Sequence, residues 1–312
     1  MTSFILYEAV GFVLGLLFGS FLNVCISRLP KDESIVHPRS YCTKCGAPIR
    51  WYDNVPVINW FLLRGRCRDC KESISWRYPL VELATGLWFA TIVFRFMLQS
   101  VANGNVQLST EWWVSLVVTS IGVAILGFLL IGLMVMDWQT MLLPDGFTFS
   151  GIAIALFLVC TQAIFLGPKE DQVLLTKHSI HLTSPGSVVD YGNVFLTGPE
   201  SLIFGRIAAI CGAALLLLFI RWLYKTIRHR EGMGLGDVKL IAMIAAFLGF
   251  WPAILSLFIG TLAAAVYGAV MLAQRKAEGA SKLPFGSFLC VGGLLTALYG
   301  NRLIAMYIAL LR

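Results

Sequence analysis

The 312-residue chain is 58% hydrophobic and 13% charged, whereas soluble domains carry about 25% charged residues. Its apolar residues form long blocks, which excludes an ordinary soluble protein and predicts an all-α protein that crosses a membrane several times. The formal net charge of +7 would suit a nucleic-acid-binding protein, but ten of the 24 basic residues lie between Arg28 and Arg77. Such clustering is typical of cytoplasmic loops in membrane proteins. We therefore predict contact with lipid and none with nucleic acid.

The apolar blocks predict about eight transmembrane helices. A helix needs roughly 20 apolar residues to cross the hydrocarbon core, and such blocks occupy residues 4–25, 79–98, 114–136, 147–166, 202–224, 238–274 and a last segment from about 285. The block 238–274 is too long for one crossing at about 1.5 Å per residue. We expect Trp251-Pro252 to divide it, because proline lacks a backbone donor. The first block has no basic stretch before it, so it is expected to be a retained helix.

Loop charges predict the orientation of these helices. Loops 26–78, 225–237 and 275–283 are basic, whereas loop 99–113 has no basic residue and loop 167–201 has two. The basic loops should face the cytoplasm, and even numbers of predicted spans separate them. Both chain termini are then extracytoplasmic, as is loop 167–201. We expect His178 and His181 in that loop to be ordinary polar residues, because a closed metal site needs more ligands.

Four cysteines in the first basic loop predict a zinc site. Cys42 and Cys45 form one CxxC pair, Cys67 and Cys70 form a second, and 21 residues separate the pairs. Four thiolates suit a closed tetrahedral zinc site, and metal binding would help so short a segment to fold. Two redox dithiols or two disulfides are the alternative, although a reducing cytoplasm disfavours persistent disulfides. We expect the other thiols to be small buried side chains, namely Cys25, Cys160, Cys211 and Cys290.

Five acids lie in or beside the predicted helices, where charge is costly. We expect Glu8 and Glu82, which lie near helix ends, to be hydrated, and Asp145 to cap a helix. Asp137 ends the third predicted span, and Asp237 follows glycines at 232, 234 and 236, on the same predicted side of the membrane. Two such carboxylates could share a proton and activate water. Alternatively, each caps a helix or pairs with a base such as Lys239.

Ordered motifs over most of the chain resemble those of the type IV prepilin peptidases, also called leader peptidase/N-methyltransferases. The motifs are GSFLNV at 19–24, the two CxxC pairs, RYPLVE at 77–82, Asp137 with Pro144-Asp145, GLGDVKL at 234–240, PFG at 284–286 and GG at 292–293. The resemblance implies that Asp137 and Asp237 are the catalytic pair of a membrane aspartic endopeptidase and that the four cysteines bind zinc. It covers neither loop 99–113 nor loop 167–201.

The resemblance also implies a function in the bacterial inner membrane. The substrates would be type IV prepilins, or the pseudopilins of type II secretion, cut after a glycine that ends a short basic leader. The enzyme would then methylate the new N-terminus with S-adenosylmethionine as the methyl donor. Asn23 and Arg28 are possible contributors to methylation, although burial in the core is the simpler role for them. The oligomeric state is left open.

The predicted domain organisation has three parts: a first transmembrane helix in 1–30, a zinc-binding segment in 31–78 and a membrane-embedded peptidase core in 79–312. Two other classes of protein fit part of the pattern. A membrane thiol–disulfide carrier would use the CxxC pairs, but their predicted cytoplasmic placement disfavours it. A transporter would place its acids near the middle of the membrane, whereas these acids lie at one face.

Overall fold

The computed structural model describes residues 2–42, 44–102, 110–165, 199–229, 233–274 and 283–310, and most of these residues are helical. The α-helices are α1 (Thr2–Arg28), α2 (Ile58–Leu62), α3 (Arg77–Ala102), α4 (Thr110–Thr140), α5 (Asp145–Phe165), α6 (Pro199–Arg228), α7 (Leu235–Leu248), α8 (Phe250–Ala273) and α9 (Phe285–Leu310). Short 3-10 turns occupy Leu29–Lys31 and Trp51–Asn54. His178 and His181 lie outside the described residues.

Seven of these helices are long and apolar enough to cross a membrane: α1, α3, α4, α5, α6, α8 and α9. The prediction of an all-α, multi-pass membrane protein is confirmed. The eighth predicted segment is α7, whose 14 residues extend over only about 21 Å at 1.5 Å per residue. It is therefore shorter than the roughly 30 Å hydrocarbon core.

The break between α7 and α8 differs from the one predicted at Trp251-Pro252. The chain turns at Gly249, whose φ of +94° is readily reached only without a side chain. Pro252 lies in the first turn of α8, where the first backbone N–H groups of a helix have no partner within it and the missing donor of proline costs little. Proline therefore starts the second helix, and glycine makes the break.

The chain divides into two compact units. Unit 1 comprises residues 1–106 and 127–144, and unit 2 comprises residues 107–126 and 145–312. Helix α4 contributes its C-terminal part to unit 1 and its N-terminal part to unit 2.

Within unit 1, α1 and α3 pack at very short range. A Cβ atom added to Gly15 would lie 2.5 Å from the carbonyl oxygen of Thr85 and 2.8 Å from the Cα of Gly86. Gly11 lies against Val93, and Gly19 lies against Glu82 and Thr85. Because rising numbers on α1 meet falling numbers on α3, the two helices run antiparallel. Small residues four positions apart are the usual means by which membrane helices approach this closely.

Within unit 2, α7 is the central helix. It contacts α5, α6, α8 and α9, and its most deeply buried side chains have no exposed surface: Leu240, Ile241, Met243, Ile244, Ala245 and Ala246. Helices α8 and α9 meet at Gly260, where an added Cβ would lie 2.9 Å from the Cα of Leu289. The apolar sequence of α7 is therefore explained by burial in protein on all sides.

The contact between α1 and α3 gives a stability prediction. We expect Gly15→Ala to lower the free energy of unfolding by about 1–3 kcal/mol, because overpacking forces backbone shifts of this cost. Gly205→Ala on α6 is the matched control, since an added Cβ there meets nothing within 4 Å. We expect it to be neutral or to stabilise by up to about 1 kcal/mol. Thermal unfolding of the purified protein in detergent measures both changes. Equal shifts of the unfolding temperature in the two variants would contradict the packing argument.

Candidate active site and metal centre

Asp137 lies in the last turn of α4, within unit 1. The residue is 5% exposed, and its carbonyl oxygen accepts a hydrogen bond of 2.8 Å from the N–H of Met141. Met141 has a φ of +53°, so the chain leaves the helix immediately after the acid. Arg77, the first residue of α3, donates a hydrogen bond of 2.8 Å to Oε1 of Gln139. The end of α4 that carries the acid is thereby attached to the start of α3.

Asp237 lies in the first turn of α7, within unit 2, and is 8% exposed. Its Oδ2 accepts a hydrogen bond of 3.3 Å from the backbone N–H of Gly234, the residue that precedes the helix. One of the structural roles considered from the sequence, helix capping, is therefore present at this acid. Gly234 itself is not crowded, because an added Cβ would meet only Asp237 and Gly236 at 3.7–3.8 Å.

Asp145 differs from both buried acids. It begins α5, and its Oδ1 atom lies 2.6 Å from Nζ of Lys239, with which it forms an ion pair. The side chain of Asp145 is 61% exposed, so this acid is hydrated and paired at a helix start. Lys239 also lies 5.2 Å from the centre of the Phe149 ring. The lysine that the sequence offered as a partner for the predicted catalytic acids is thus bound to Asp145.

The structure brings the four predicted ligand cysteines together. The sulfur atoms of Cys42, Cys45, Cys67 and Cys70 all lie within 4.8 Å of one another, and the Sγ atoms of Cys42 and Cys70 are 3.8 Å apart. Four sulfurs bound at about 2.3 Å to a tetrahedral zinc ion would be about 3.8 Å apart. The cluster therefore has the dimensions of a metal site, and its residues fit zinc.

The two CxxC pairs have the same backbone geometry. The N–H of Cys42 donates to the carbonyl oxygen of Ala47 (2.9 Å), and the N–H of Cys67 donates to that of Glu72 (2.8 Å). The residue after each pair has a positive φ, +72° at Gly46 and +60° at Lys71. Each turn is closed by an isolated antiparallel bridge, Tyr41 with Pro48 and Arg66 with Ser73. The chain thus builds two equivalent turns, each of which presents two sulfurs to one centre.

Local hydrogen bonds favour the thiolate form of one cysteine in this cluster. The backbone N–H groups of Cys45 and Lys44 lower the pKa of the Cys42 thiol to about 7, and the thiolate is the form that binds metal. Beside the cluster, Arg68 binds both carboxylate oxygens of Asp53 at 2.6–3.1 Å. The Arg68 hydrogen bonds lower the pKa of that carboxyl group. A fixed arginine–carboxylate pair therefore supports the second cysteine turn.

The remaining thiols follow the sequence expectation in part. Cys25 and Cys290 are buried, Cys160 is half-buried and Cys211 is exposed. Burial was therefore the wrong prediction for Cys211.

Glu82 is an important residue that the sequence reasoning misjudged. It was expected to be hydrated, but it is 8% exposed, and its Oε2 accepts a hydrogen bond of 2.8 Å from the N–H of Val57. It lines a cavity of about 540 Å³ between the end of α1, the cysteine-bearing loop and the start of α3. The RYPLVE motif at 77–82 contains this residue, but no local pattern indicates its burial, because its hydrogen-bond partner lies 25 positions earlier in a loop.

Asn23 and Arg28 line the same cavity, and both are buried. Asn23 donates to the carbonyl oxygen of Tyr78 at 3.0 Å, and Arg28 donates to those of Ser34 (2.9 Å) and Pro38 (2.6 Å). The structural role expected for these two residues is present: Asn23 joins α1 directly to α3, and Arg28 attaches the loop to the end of α1.

Two family models match the chain in succession. The Bacterial Peptidase A24 N-terminal domain matches residues 13–96, and the Type IV leader peptidase family matches residues 123–269. The first match contains the cysteine cluster and Glu82, and the second contains both buried aspartates. No solved structure matches the chain.

Curated relatives match over nearly the whole chain. A protein of Stutzerimonas stutzeri is 32% identical over 96% of this chain and 93% of its own length. One of Pseudomonas aeruginosa is 28% identical over 95% and 91%, and one of Myxococcus xanthus is 34% identical over 86% and 64%. Each is named prepilin leader peptidase/N-methyltransferase. These relatives do not favour the thiol–disulfide carrier. With this identity over this length, the chain belongs to the type IV leader peptidase family.

Proposed function

We propose that this protein is an aspartic endopeptidase that removes the leader of type IV prepilins or type II secretion pseudopilins and then N-methylates the new N-terminus. The observation that carries the proposal is the burial of two carboxylates, Asp137 and Asp237, at the ends of apolar helices in a chain of this family. Burial of a carboxylate is costly and is retained where the group has a function. The relatives' names supply the substrate and the second reaction.

In the proposed peptidase reaction, the two aspartates act on one water molecule. The ionised carboxylate removes a proton from the water, whose oxygen attacks the carbonyl carbon of the scissile peptide. The protonated carboxyl group donates its proton to the carbonyl oxygen, which gives a neutral tetrahedral intermediate. Collapse of that intermediate breaks the C–N bond: the amine leaves with a proton from the acid that received one from water, and a hydroxyl proton of the intermediate returns to the acid that had donated one. Neither a metal nor a covalent enzyme intermediate takes part.

The positions of the acids on their helices support different roles. Asp237 lies at the N-terminal end of α7, where the helix dipole favours a negative charge, and Asp137 lies near the C-terminal end of α4, where it disfavours one. We therefore assign the general base to Asp237 and the proton donor to Asp137. Helix-dipole effects amount to about 0.3–1 kcal/mol at exposed sites, which is enough to bias a shared proton.

The reaction is proposed to occur at the cytoplasmic face of the inner membrane. Helix α6 ends with Lys225 and Arg228 in its last turn, just before the loop that leads to Asp237, and basic loops stay in the cytoplasm. The N-terminal leader of the substrate is basic and would remain on that side while its apolar helix lies in the membrane. Both termini of the enzyme are then extracytoplasmic.

For the metal centre, we propose one structural zinc ion bound by Cys42, Cys45, Cys67 and Cys70. The sulfur separations and the two equivalent turns support it, because a closed four-thiolate site leaves no open position for a substrate. Zinc would contribute to the folding of the segment 31–78. The division into a first helix (1–30), this segment and a peptidase core (79–312) is part of the same proposal.

The role of the acid pair can be tested by isosteric substitution. We expect Asp137→Asn and Asp237→Asn each to slow leader cleavage by at least about 10²–10⁴-fold, the usual contribution of a general acid or base. Mass spectrometry of a purified prepilin after incubation, with and without S-adenosylmethionine, reads the cut site and the added methyl group together.

Asp145→Asn is the matched control for this experiment, because it changes an exposed acid in a surface ion pair, a contact that contributes only about 0–1 kcal/mol. We expect it to retain cleavage within about tenfold, the rate equivalent of 1.4 kcal/mol. Full processing of a prepilin by either Asp137→Asn or Asp237→Asn would refute the assignment of the catalytic pair.

The zinc proposal predicts about one metal ion per chain, as one four-thiolate site requires. We expect Cys67→Ser to lose the ion and to lower the unfolding temperature, because the metal and the fold of the loop are coupled. Cys211→Ser, which changes an exposed thiol outside the cluster, should keep both. Elemental analysis of freshly purified, active protein makes the measurement, and active protein without metal would overturn the proposal.

A further inference from the structure

Arg206 is a basic residue that neither the acid pair nor the cysteine cluster uses. It lies near the start of the membrane-spanning stretch Leu202–Arg228 of α6, whereas the other basic residues of this helix, Arg221, Lys225 and Arg228, lie towards its opposite end. A charged side chain inside a membrane-spanning helix is costly and marks a place with a partner or a function. The Nη1 atom of Arg206 is buried, so protein encloses this charge.

The buried end of the Arg206 side chain lies against the junction between α7 and α8. A Cβ atom added to Gly249 would lie 3.2 Å from Nη1 of Arg206, and Gly249 is the residue with a positive φ at which the chain turns. A Cβ atom added to Gly212 of α6 would lie 3.2 Å from the ring of Phe250, the first residue of α8. Helix α6 therefore contacts the junction at two places, and one of them carries a charge.

The C-terminal end of α7 is a place where a positive charge is favourable. The N–H of Gly249 donates to the carbonyl oxygen of Ala245 at 2.8 Å, but the carbonyl groups of residues 246–248 have no N–H partner within α7, as at the end of every helix. These groups carry the negative end of the helix dipole, and a guanidinium group offers five N–H donors and a permanent charge. With Asp237 in its first turn, α7 thus has an acid at its positive end and an arginine at its negative end.

A charged contact at this end restricts how α7 can move along its own axis. From Leu240 to Ala246 the side chains of α7 are apolar and buried, and hydrophobic attraction is non-directional. At the other end Lys239 pairs with Asp145, whose side chain is 61% exposed, and exposed ion pairs contribute little. The contact of Arg206 is buried, and the junction that it meets leads directly into α8. It is therefore the contact best placed to set the axial position of α7.

We propose that Arg206 is a positioning residue: it holds the C-terminal end of α7 and thereby sets the position of Asp237 along the helix axis. The inference rests on the proposed role of Asp237 as general base. Because α7 is one continuous helix of 14 residues, about 21 Å long at 1.5 Å per residue, a displacement of one end moves the other by the same amount. Arg206 is too far from Asp237 to touch the substrate or the reacting water there. Its effect on the rate is geometric, since a misplacement of about 1 Å can slow an enzyme about 10²-fold.

Arg206→Met tests this role, because methionine is long, unbranched and apolar and so suits a membrane-spanning helix. We expect kcat for leader cleavage to fall by about 10²-fold with KM unchanged, because the substrate does not contact this residue. Arg206→Lys should retain kcat within about tenfold, because either cation is favoured at the C-terminal end of a helix. Arg206→Gln, which keeps a side-chain donor without the charge, replaces Arg206→Met if that variant fails to fold.

The position of α7 can be measured without relying on activity. Leu235, the first residue of α7, is 55% exposed, and Leu235→Cys places a thiol there. Its rate of alkylation by a maleimide in the purified full chain, read by peptide mapping, reports how far the start of α7 reaches into solvent. We expect that rate to change when Arg206→Met is added. Arg302→Met is the matched control, because it makes the same change at an exposed arginine of α9; it should leave kcat and the alkylation rate at their wild-type values.

Three results would overturn the inference: a wild-type kcat in Arg206→Met, a rise in KM in place of the fall in kcat, or an unchanged alkylation rate at position 235. A lower unfolding temperature together with a wild-type kcat is one form of the first result, and it would leave Arg206 with a purely structural role.

The same measurements separate this inference from the peptidase proposal. If Asp237→Asn abolishes cleavage while Arg206→Met changes neither kcat nor the alkylation rate, the positioning role is refuted and the catalytic pair stands. If Arg206→Met changes the alkylation rate but Asp237→Asn cleaves like wild type, Arg206 holds α7 as proposed and the catalytic role of Asp237 is refuted.

Discussion

The close contact of α1 with α3 is the constraint on which the rest of unit 1 depends. At Gly15 only hydrogen can occupy the space before the backbone of α3. Because both helices are fixed at this distance, α1 ends at Arg28 and α3 begins at Arg77 with their ends held together. The intervening loop is thus closed on itself before any metal binds. Closing a loop costs conformational entropy. The packing of α1 against α3, which lipid cannot replace, offsets part of that free energy.

The polar groups of the loop between α1 and α3 have two uses. The loop builds two cysteine turns, and in the first of them backbone N–H groups lower the pKa of the Cys42 thiol. Its middle places the N–H of Val57 on Glu82 of α3, beside the bond by which Asn23 of α1 donates to the carbonyl oxygen of Tyr78 in α3. Buried polar groups require partners, and here each partner belongs to a different segment. The cavity is therefore a consequence of the same contacts that attach the loop to the membrane helices, and it would be lost if the loop separated from them.

Sequence reasoning predicted the features that depend on local pattern. Long apolar blocks predicted the helices, because lipid requires continuous apolar helices. The CxxC spacing predicted the cysteine cluster, and the bounds of the apolar blocks predicted that Asp137 and Asp237 lie at helix ends. It failed where one residue's environment is set by a distant segment. Glu82 looks like an exposed acid at the start of a helix until Val57 covers it. The pairing of Lys239 with Asp145, 94 positions away, has no local signature either.

The contrast between local sequence pattern and contacts with distant segments also explains why the length and start of α7 differ from the prediction. By composition it is an apolar segment like the others, and the sequence placed its boundary at a proline. In the folded chain it is a 14-residue helix that contacts protein helices, so its length need not match the lipid thickness. A helix that is too short to span by itself, and that is covered by its neighbours, can begin below the membrane surface. The dielectric around Asp237 is then set by protein contacts. In such surroundings a carboxylate binds or releases a proton according to its neighbours, which is the property that the proposed general base requires.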